Sequence, residues 1–346
     1  MTRMMRAYRQ TRTGDYGELV EIPVPEPGPG QVRLKTAGAG LCQSDLILMR
    51  ANPPFGPIPA TIGHEATGWV DAIGPGVEGL REGDAYGMFF SWGCGRCMPC
   101  AKGEENLCAH PGTQRNFVVG WDGGLAEYFL ADSPRHLVPL DDLDPVSAAP
   151  LMCAGMTAQH GVHRGLGALG PGKWAVVIGV GGVGHMAIQV LKALTPARVI
   201  ACDVTEEKLE HAKALGADEA VLSGTGAAER IRSLTKGLGA DVVLDVVGKD
   251  ATLALGVSVL AQQGRLEVIG MSGGSTTITP MALPRDASVS LSYAGSIPEL
   301  KAVIELARQG LVKPDILRIG FEEITDAYRM IEAGSLRGRA VVVPHT

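Results

Sequence analysis

The 346-residue chain lacks several features that would assign it to a specialised class of protein. It has no long basic run and its net charge is −6, which argues against a nucleic-acid partner. The first ten residues carry three arginines but no apolar segment, so no secretory signal is visible and we expect a cytoplasmic protein. The apolar stretch 174–191 is interrupted by four glycines, a histidine and a glutamine, which argues against a membrane span. No internal repeat or low-complexity segment is present.

The composition is that of an ordinary globular protein, with 45% hydrophobic and 20% charged residues. The length favours two domains, each large enough to bury a core. The chain has seven cysteines, an odd number, and several are closely spaced. Such cysteines indicate metal ligands in a reducing compartment rather than disulfides.

A strand–turn–helix–strand pattern lies near the middle of the chain. The β-branched run 174–178 predicts a buried parallel strand, and a G-x-G-x-x-G turn follows at 179–184. After a helical pattern, a second strand at 198–202 ends on Asp203. Glycines let a pyrophosphate approach the backbone at a helix N-terminus, and an acid at this position accepts hydrogen bonds from the adenosine ribose. A glycine motif alone would also fit a strand–turn–helix unit that binds nothing, but the complete order of elements favours dinucleotide binding. Asp203 favours NAD as the dinucleotide, because its carboxylate would repel the 2′-phosphate of NADP.

The two parts of the chain differ in their pattern of elements. Up to about residue 150, short β-type runs alternate with Pro and Gly clusters, which predicts a mainly antiparallel β domain. From about Cys153, strands and helices alternate, which predicts an α/β fold with a doubly wound sheet of six parallel strands. The predicted strands are 174–178, 198–202, 219–222, 242–245, 265–269 and 289–293, and the later helices are 206–215, 227–234 and 251–261. We expect the tail from about residue 299, with a final strand at 339–343, to return to the first domain.

Four cysteines form a C-x2-C-x2-C-x7-C pattern within one loop. They are Cys94, Cys97, Cys100 and Cys108. Four thiolates so close in sequence can surround one tetrahedral Zn²⁺ with no open position, which is a structural site. An iron–sulfur cluster and unbound thiols are the alternatives, but the glycines of this loop suit a tight zinc site and no Cys-Pro ligand follows.

Three other residues of ligand type are Cys42, His64 and Cys153, spread over more than a hundred positions. Three protein ligands and one open position are the usual arrangement of a catalytic zinc. The spacing does not establish such a site, because a buried cysteine is a common core residue and a single histidine is often structural. On the residues alone, both interpretations stay open.

Along essentially its whole length the sequence resembles the zinc-dependent medium-chain alcohol dehydrogenase family, with the closest likeness to bacterial NAD-dependent secondary alcohol dehydrogenases. The motifs that carry the resemblance are 42–45, 63–65, the four-cysteine loop, 123–128, 153–157 and the glycine turn 179–184. The resemblance implies a Rossmann NAD-binding domain at 155–295. It also implies a GroES-like catalytic domain formed by 1–154 and 296–346.

The resemblance implies a catalytic zinc held by Cys42, His64 and Cys153, although many relatives carry aspartate where this chain has Cys153. Glu65 would be an alternate ligand or a neighbour of the metal, and Asp45 would orient the His64 imidazole. The implied cofactors are NAD and two zinc ions per chain, one catalytic and one structural.

The resemblance also implies the reaction. Ser44 would contact the substrate hydroxyl and pass its proton toward solvent, while a hydride goes to NAD⁺ and leaves a ketone or aldehyde. Some relatives end this relay with a histidine where this chain has Ile47, so water or a ribose hydroxyl would complete it. Arg339 resembles an arginine that pairs with the pyrophosphate, although it could equally be a solvated terminal charge. The full implied cofactor set is Thr157, Gly179, Gly181, Gly182, Val183, Gly184, Asp203, Lys208, Gly270 and Arg339.

The predicted substrate pocket is formed by Phe55, Trp92, Tyr293 and Ala294. Close relatives place a tryptophan where this chain has Ala294, and alanine would widen the pocket for secondary alcohols of medium to bulky size. A polyol or threonine dehydrogenase is the alternative, because it shares nearly every motif. A binding protein of this fold would have lost Cys42, Ser44 or His64, and a zinc-free reductase would have neither cysteine set. The expected partners are a small alcohol or ketone and further copies of the chain, in a homodimer or homotetramer.

Overall fold

The computed structural model describes residues 2–52, 54, 56–110, 116–279 and 281–345. They form two compact units. The first comprises Met1–Met156, Gly295–Arg308 and Pro314–Thr346, and the second comprises Thr157–Ala294 and Gln309–Lys313. Among the described residues, no helix combines the length and the apolar character that crossing a membrane requires.

The strands and helices are numbered in chain order. The strands are β1 (Met4–Gln10), β2 (Glu18–Pro23), β3 (Val32–Gly40), β4 (Ala60–Thr61), β5 (Glu65–Ile73), β6 (Ala85–Met88), β7 (Tyr128–Ala131), β8 (Leu137–Pro139), β9 (Trp174–Ile178), β10 (Arg198–Asp203), β11 (Glu219–Leu222), β12 (Ala240–Asp245), β13 (Leu260–Val268), β14 (Ser288–Leu291), β15 (Ile316–Ile319) and β16 (Arg339–Val342). The helices are α1 (Gln43–Arg50), α2 (Met98–Ala101), α3 (Pro145–Ala148), α4 (Ala154–Gly165), α5 (Gly184–Leu194), α6 (Glu206–Ala214), α7 (Ala227–Leu234), α8 (Asp250–Ser258), α9 (Ile297–Arg308) and α10 (Ile324–Ala333).

The first unit contains a three-stranded sheet, β2-β1-β4, and a seven-stranded sheet in the order β15-β16-β3-β5-β6-β8, with β7 also paired to β3. Apart from the parallel pair β15 and β16, neighbouring strands run antiparallel, which confirms the predicted mainly antiparallel domain. Gly40, at the end of β3, pairs with Glu65, at the start of β5. Cys42 follows β3 and His64 precedes β5, so both residues leave the sheet at the same end.

The second unit is built on six parallel strands in the order β11-β10-β9-β12-β13-β14. This sheet confirms the predicted doubly wound fold. Its central positions are fully buried, as are Val176, Ile200, Val243 and Leu266. Because all strands are parallel, their carboxyl ends lie at one edge, where such sheets bind ligands.

Several predicted boundaries in the second unit were wrong. The helix predicted to run to residue 261 ends at Ser258, and Leu260 already pairs with Ala240 at the start of β13. The helical pattern continues into an apolar segment, but strand pairing with β12 determines its conformation. The last strand of the sheet ends at Leu291, so Tyr293 lies beyond it rather than within it.

Candidate functional site

A buried cluster in the first unit brings together Cys42, His64, Glu65 and Cys153. One ligand atom of each lies within 4.8 Å of the ligand atoms of the other three. His64 Nε2 lies 3.3 Å from Cys153 Sγ. Cys42 and His64 are brought together by the pairing of β3 with β5, and the short helical turn that precedes Cys153 packs against β5.

Asp45, in the first turn of α1, orients His64. Its Oδ1 lies 2.8 Å from His64 Nδ1, and its Oδ2 accepts a hydrogen bond from the Cys42 backbone N–H at 2.9 Å. Although burial lowers the pKa of His64, the charge and hydrogen bond of Asp45 raise it well above its usual value. A carboxylate at Nδ1 directs the other ring nitrogen, Nε2, toward the cysteines, as in histidines that ligate metals.

The two thiols of this cluster, those of Cys42 and Cys153, affect each other's protonation. The hydrogen bond with Cys153, and the nearby charges of Arg339 and His64, hold the pKa of Cys42 well below its usual value. The same hydrogen bond and burial raise the pKa of Cys153. A divalent cation bound here would favour the thiolate form of both sulfurs and would be neutralised by them. Two thiolates and one imidazole leave a fourth position open, which fits a catalytic zinc.

Glu65, one of the four residues of this cluster, forms a buried ion pair with Arg339. The Arg339 guanidinium donates to Glu65 Oε1 at 2.5 Å and to Cys42 Sγ at 3.3 Å. Glu65 Oε2 has no hydrogen-bond partner among the described residues. Burial raises the pKa of Glu65 to about 8, although Arg339 opposes this shift. Arg339 thus contacts two residues of this candidate metal cluster, and its predicted contact with a pyrophosphate stays a prediction.

The surroundings of His64 differ in part from the predicted pocket. Ser44 and Ile47 are half-buried on α1, and the ring of Phe90 packs edge-on against His64, with 5.0 Å between ring centroids. Trp92, predicted for the pocket, lies in a buried aromatic cluster, and its indole N–H donates to the Phe89 carbonyl. Its place in the substrate pocket stays a prediction. Phe55 lies outside the described residues.

The four cysteines of the loop converge on a second cluster. Cys97 Sγ lies 3.3 Å from Cys100 Sγ and 3.9 Å from Cys108 Sγ, and Cys94 Sγ lies 4.0 Å from Cys100 Sγ. A tetrahedron with Zn–S bonds of about 2.3 Å has sulfur–sulfur edges of about 3.8 Å. Hydrogen bonds from the backbone N–H groups of Arg96 and Cys97 lower the pKa of Cys94 to about 6. The cluster fits a closed, structural zinc site.

A network that the sequence did not reveal supports this loop. The buried carboxylate of Glu105 accepts hydrogen bonds from the Gly93 backbone N–H at 2.6 Å and from His136 Nε2 at 3.2 Å, and it pairs with Arg135. The other nitrogen of His136 lies 2.6 Å from Asp132 Oδ1. Glu105 and His136 are thirty-one positions apart, and no local pattern connects them.

The glycine turn of the second unit is tied to Asp203. Asp203 Oδ2 accepts a hydrogen bond from the Val180 backbone N–H at 2.6 Å, and the acid is largely buried at the end of β10. A Cβ atom at Gly184 would lie 1.8 Å from the Gly179 carbonyl oxygen, so only glycine fits where α5 begins. Gly181, Gly182 and Val183 complete the turn between β9 and α5.

The remaining predicted cofactor and pocket residues are also placed in the second unit, apart from Arg339. Lys208 Nζ lies 3.9 Å from Asp203 Oδ1, and Thr157 is buried on α4. A Cβ atom at Gly270 would lie 2.1 Å from the backbone carbon of Val247, so this crossing of two chain segments requires glycine. Beyond β14, Tyr293 is 49% exposed and Ala294 is 8% exposed. Ala294 has a φ of 51°, a left-handed conformation that alanine rarely adopts.

Comparison with known proteins gives consistent results over both units. Residues 28–142 match the alcohol dehydrogenase GroES-like domain, and residues 182–309 match the zinc-binding dehydrogenase family. The chain is 36% identical to an NAD-dependent alcohol dehydrogenase of Sulfurisphaera tokodaii, over 98% of this chain and 100% of that protein. It is 32% identical to a D-arabinose 1-dehydrogenase (NADP⁺) of Saccharolobus solfataricus, over 94% and 93% of the two chains. The crystal structure of the alcohol dehydrogenase of Aeropyrum pernix superposes with a TM-score of 0.91 at 34% identity, over 98% of this chain and 100% of that one.

Proposed function

The chain belongs to the zinc-dependent medium-chain alcohol dehydrogenase family, and from this premise we propose that it prefers secondary alcohols of medium to bulky size, which it oxidises reversibly to ketones. As a member of this family it is an NAD-dependent alcohol dehydrogenase that uses NAD and zinc. Its partners are therefore small alcohols and ketones. The cytoplasmic location and the homodimer or homotetramer expected from the sequence stay predictions.

The observation that carries the substrate proposal is the small side chain of Ala294. The residue follows β14, at the carboxyl edge of the sheet, where the glycine turn after β9 also lies. Cofactors of doubly wound sheets bind at this edge. An alanine next to the cofactor leaves space that a larger side chain would fill, so a substrate with an alkyl or aryl arm gains apolar contacts there.

In the proposed mechanism Cys42, His64 and Cys153 would hold the zinc, and their two thiolates would balance its charge. Zinc bound by these ligands supplies a Lewis acid for the alcohol oxygen, and NAD⁺ supplies the hydride acceptor. Asp45 fixes the tautomer of His64 through the bond between Oδ1 and Nδ1. The alcohol loses one hydride and one proton and becomes a ketone.

The proton leaves by way of Ser44. Its hydroxyl is half-buried in the first turn of α1, two residues from Cys42 in the sequence. A hydroxyl can accept one proton while it donates another, which suits a relay. Because Ile47 has no proton-accepting group, the end of the relay would be supplied by water or, with the cofactor bound, by one of its ribose hydroxyls.

The substrate proposal is tested by filling the space at Ala294. Each buried methylene is worth about 0.8 kcal/mol, so Ala294→Trp should lower kcat/KM for acetophenone about tenfold or more while sparing acetone. Ala294→Gly is the matched control, since it relaxes the left-handed backbone and adds no volume. If the tryptophan variant slows both ketones equally, or if the glycine variant shows the same selectivity, Ala294 does not border the pocket.

A polyol or sugar substrate is the second candidate, supported by the likeness to D-arabinose 1-dehydrogenase. Rates on 2-propanol and 1-phenylethanol against sorbitol, threonine and D-arabinose separate the two candidates. Higher kcat/KM on the polyhydroxylated compounds would favour the second.

A further inference from the structure

Asp45 is held by a residue from the far end of the chain. The hydroxyl of Tyr328, on α10, donates a hydrogen bond to Asp45 Oδ2 at 3.0 Å, across 283 positions in sequence. Both residues are 0% exposed. The same carboxylate binds the Cys42 backbone N–H and His64 Nδ1. Tyr328 therefore joins the chain of hydrogen bonds that ends on a proposed zinc ligand.

The position and protonation of Tyr328 suit a fixed donor. Burial, and then the charge of Asp45, raise the pKa of Tyr328 well above its usual value, so the hydroxyl keeps its proton. Its ring packs near those of Tyr8 and Tyr16, with centroid distances of 6.3 and 6.5 Å. Helix α10 packs against α1, which carries Asp45. A donor held in this way restricts rotation of the Asp45 carboxylate about its last side-chain bond.

We propose that Tyr328 is a positioning residue for the catalytic zinc, because it fixes Asp45 and thereby the plane of the His64 imidazole. This inference rests on the proposed ligation of zinc by Cys42, His64 and Cys153. Without the hydroxyl, a buried carboxylate oxygen loses a donor and turns toward other partners, which are scarce in the interior. His64 then loses its fixed orientation, and its Nε2 atom is less well placed to bind the metal.

The expected effect of removing the Tyr328 hydroxyl depends on how many hydrogen bonds separate Tyr328 from the metal. Partners that bind a ligating histidine directly change metal affinity or activity by about 10- to 100-fold when they are removed. Tyr328 acts one bond further out, so its effect should lie at the lower limit, about tenfold.

The test compares two substitutions that each remove one buried hydroxyl. Tyr328→Phe keeps the ring and removes the bond to Asp45. Tyr8→Phe is the matched control, because the Tyr8 hydroxyl pairs with Thr325 Oγ1 on the same helix, at 2.8 Å, and not with Asp45. Two quantities are measured for each protein: the rate at which the open zinc site releases its metal to a chelator, and the visible absorption bands of Co²⁺ placed in that site.

Tyr328→Phe should release the metal about tenfold faster and shift the Co²⁺ bands, which report ligand geometry. Tyr8→Phe should match the unchanged protein in both measurements. Equal release rates and equal spectra in the two variants would overturn the role of Tyr328.

Failure of the underlying ligation has a different signature. The unchanged protein would then contain no zinc beyond that of the four-cysteine loop. Failure of the inference about Tyr328 alone leaves two zinc ions in every protein and identical kinetics of release.

Discussion

At the scale of single residues, Asp203 has two roles. Its hydrogen bonds hold the glycine turn, and its negative charge would lie next to a bound cofactor. Its carboxylate accepts hydrogen bonds from the Val180 and Val204 backbone N–H groups, and thereby links the glycine turn to β10. The same position, at the end of the second strand, is where the ribose of a dinucleotide binds. Removing the whole side chain would therefore disturb the turn as well as the charge.

Asp203→Asn removes the charge and keeps one of the two acceptor oxygens, so it should narrow the preference for NAD over NADP with less disturbance of the turn than removal of the side chain. We expect the ratio of kcat/KM values to fall about tenfold, since one repulsion with the 2′-phosphate is lost and Lys208 is freed to pair with it. The ratio is measured by steady-state kinetics with both cofactors.

Asp218→Asn is the matched control for this prediction. Asp218 also accepts a backbone hydrogen bond, from Val199 at 2.7 Å, but it lies at the amino end of β10. It should leave the cofactor ratio unchanged. An unchanged protein that used both cofactors with equal efficiency would contradict the role of Asp203.

At the scale of elements, the zinc loop is anchored by the pair Glu105 and His136. Burial disfavours the charged forms of both Glu105 and His136, but the hydrogen bonds and charges of their neighbours outweigh this effect. Hydrogen bonds with His136 and Arg135 lower the pKa of Glu105 to about 2, and those with Asp132 and Glu105 raise the pKa of His136 above its usual value. Because Gly93 also donates to Glu105, the network connects the segment 132–136 with the start of the loop.

These shifts predict how the loop responds to pH. The raised pKa of His136 stabilises the fold fully below 6.5, and this contribution is lost as the pH rises through the raised value. The lowered pKa of Glu105 stabilises the fold fully at pH values above 4.5, and this contribution is lost as the pH falls toward 2. The network should therefore contribute most between pH 4.5 and 6.5.

The prediction is tested with His136→Gln. The difference in Tm between the unchanged protein and this variant should be larger at about pH 6 than at about pH 9, because the imidazolium charge is lost at the higher pH. His345→Gln is the control, since His345 is exposed and lies outside this network, where it contacts the Glu127 backbone carbonyl and the ring of Tyr128. A Tm difference for His136→Gln that does not change with pH would exclude a stabilising charge on His136.

At the scale of the whole molecule, the two cysteine clusters are expected to differ in purpose. The four-cysteine cluster offers no open position, so its zinc contributes to folding rather than to chemistry. The cluster of Cys42, His64 and Cys153 leaves one position open. Both lie in the first unit.

Metal analysis of the purified protein should find two zinc ions per chain. Cys97→Ser should reduce the content to about one and lower the Tm, with a smaller effect on the chemical step, because a closed site contributes folding free energy. Cys202→Ser is the matched control, as this buried cysteine lies in the second unit, 3.1 Å from Ser223 Oγ and outside both clusters. One zinc ion or none in the unchanged protein would contradict the two-site prediction.

The sequence alone determined the features that depend on neighbours along the chain. Three features could be predicted from residues that are close in the sequence. They are the four-cysteine cluster, the glycine turn ending on Gly184 and the strands with continuous apolar runs. The order of elements then predicted the six-stranded sheet, because alternating strands and helices form parallel sheets. The predictions from sequence were wrong where the local pattern disagrees with strand pairing. Leu260, for example, continues a helical pattern but pairs with Ala240 of β12.

Only the tertiary structure decided which distant side chains meet. Tyr328 reaches Asp45, Arg339 pairs with Glu65, and His136 pairs with Glu105, each from a different part of the sequence. Phe90 rather than Trp92 lies against His64, since the direction of a side chain in an irregular segment follows from the packing around it. A buried charge is stable only beside its partner, and that partner is chosen by the fold as a whole rather than by any motif.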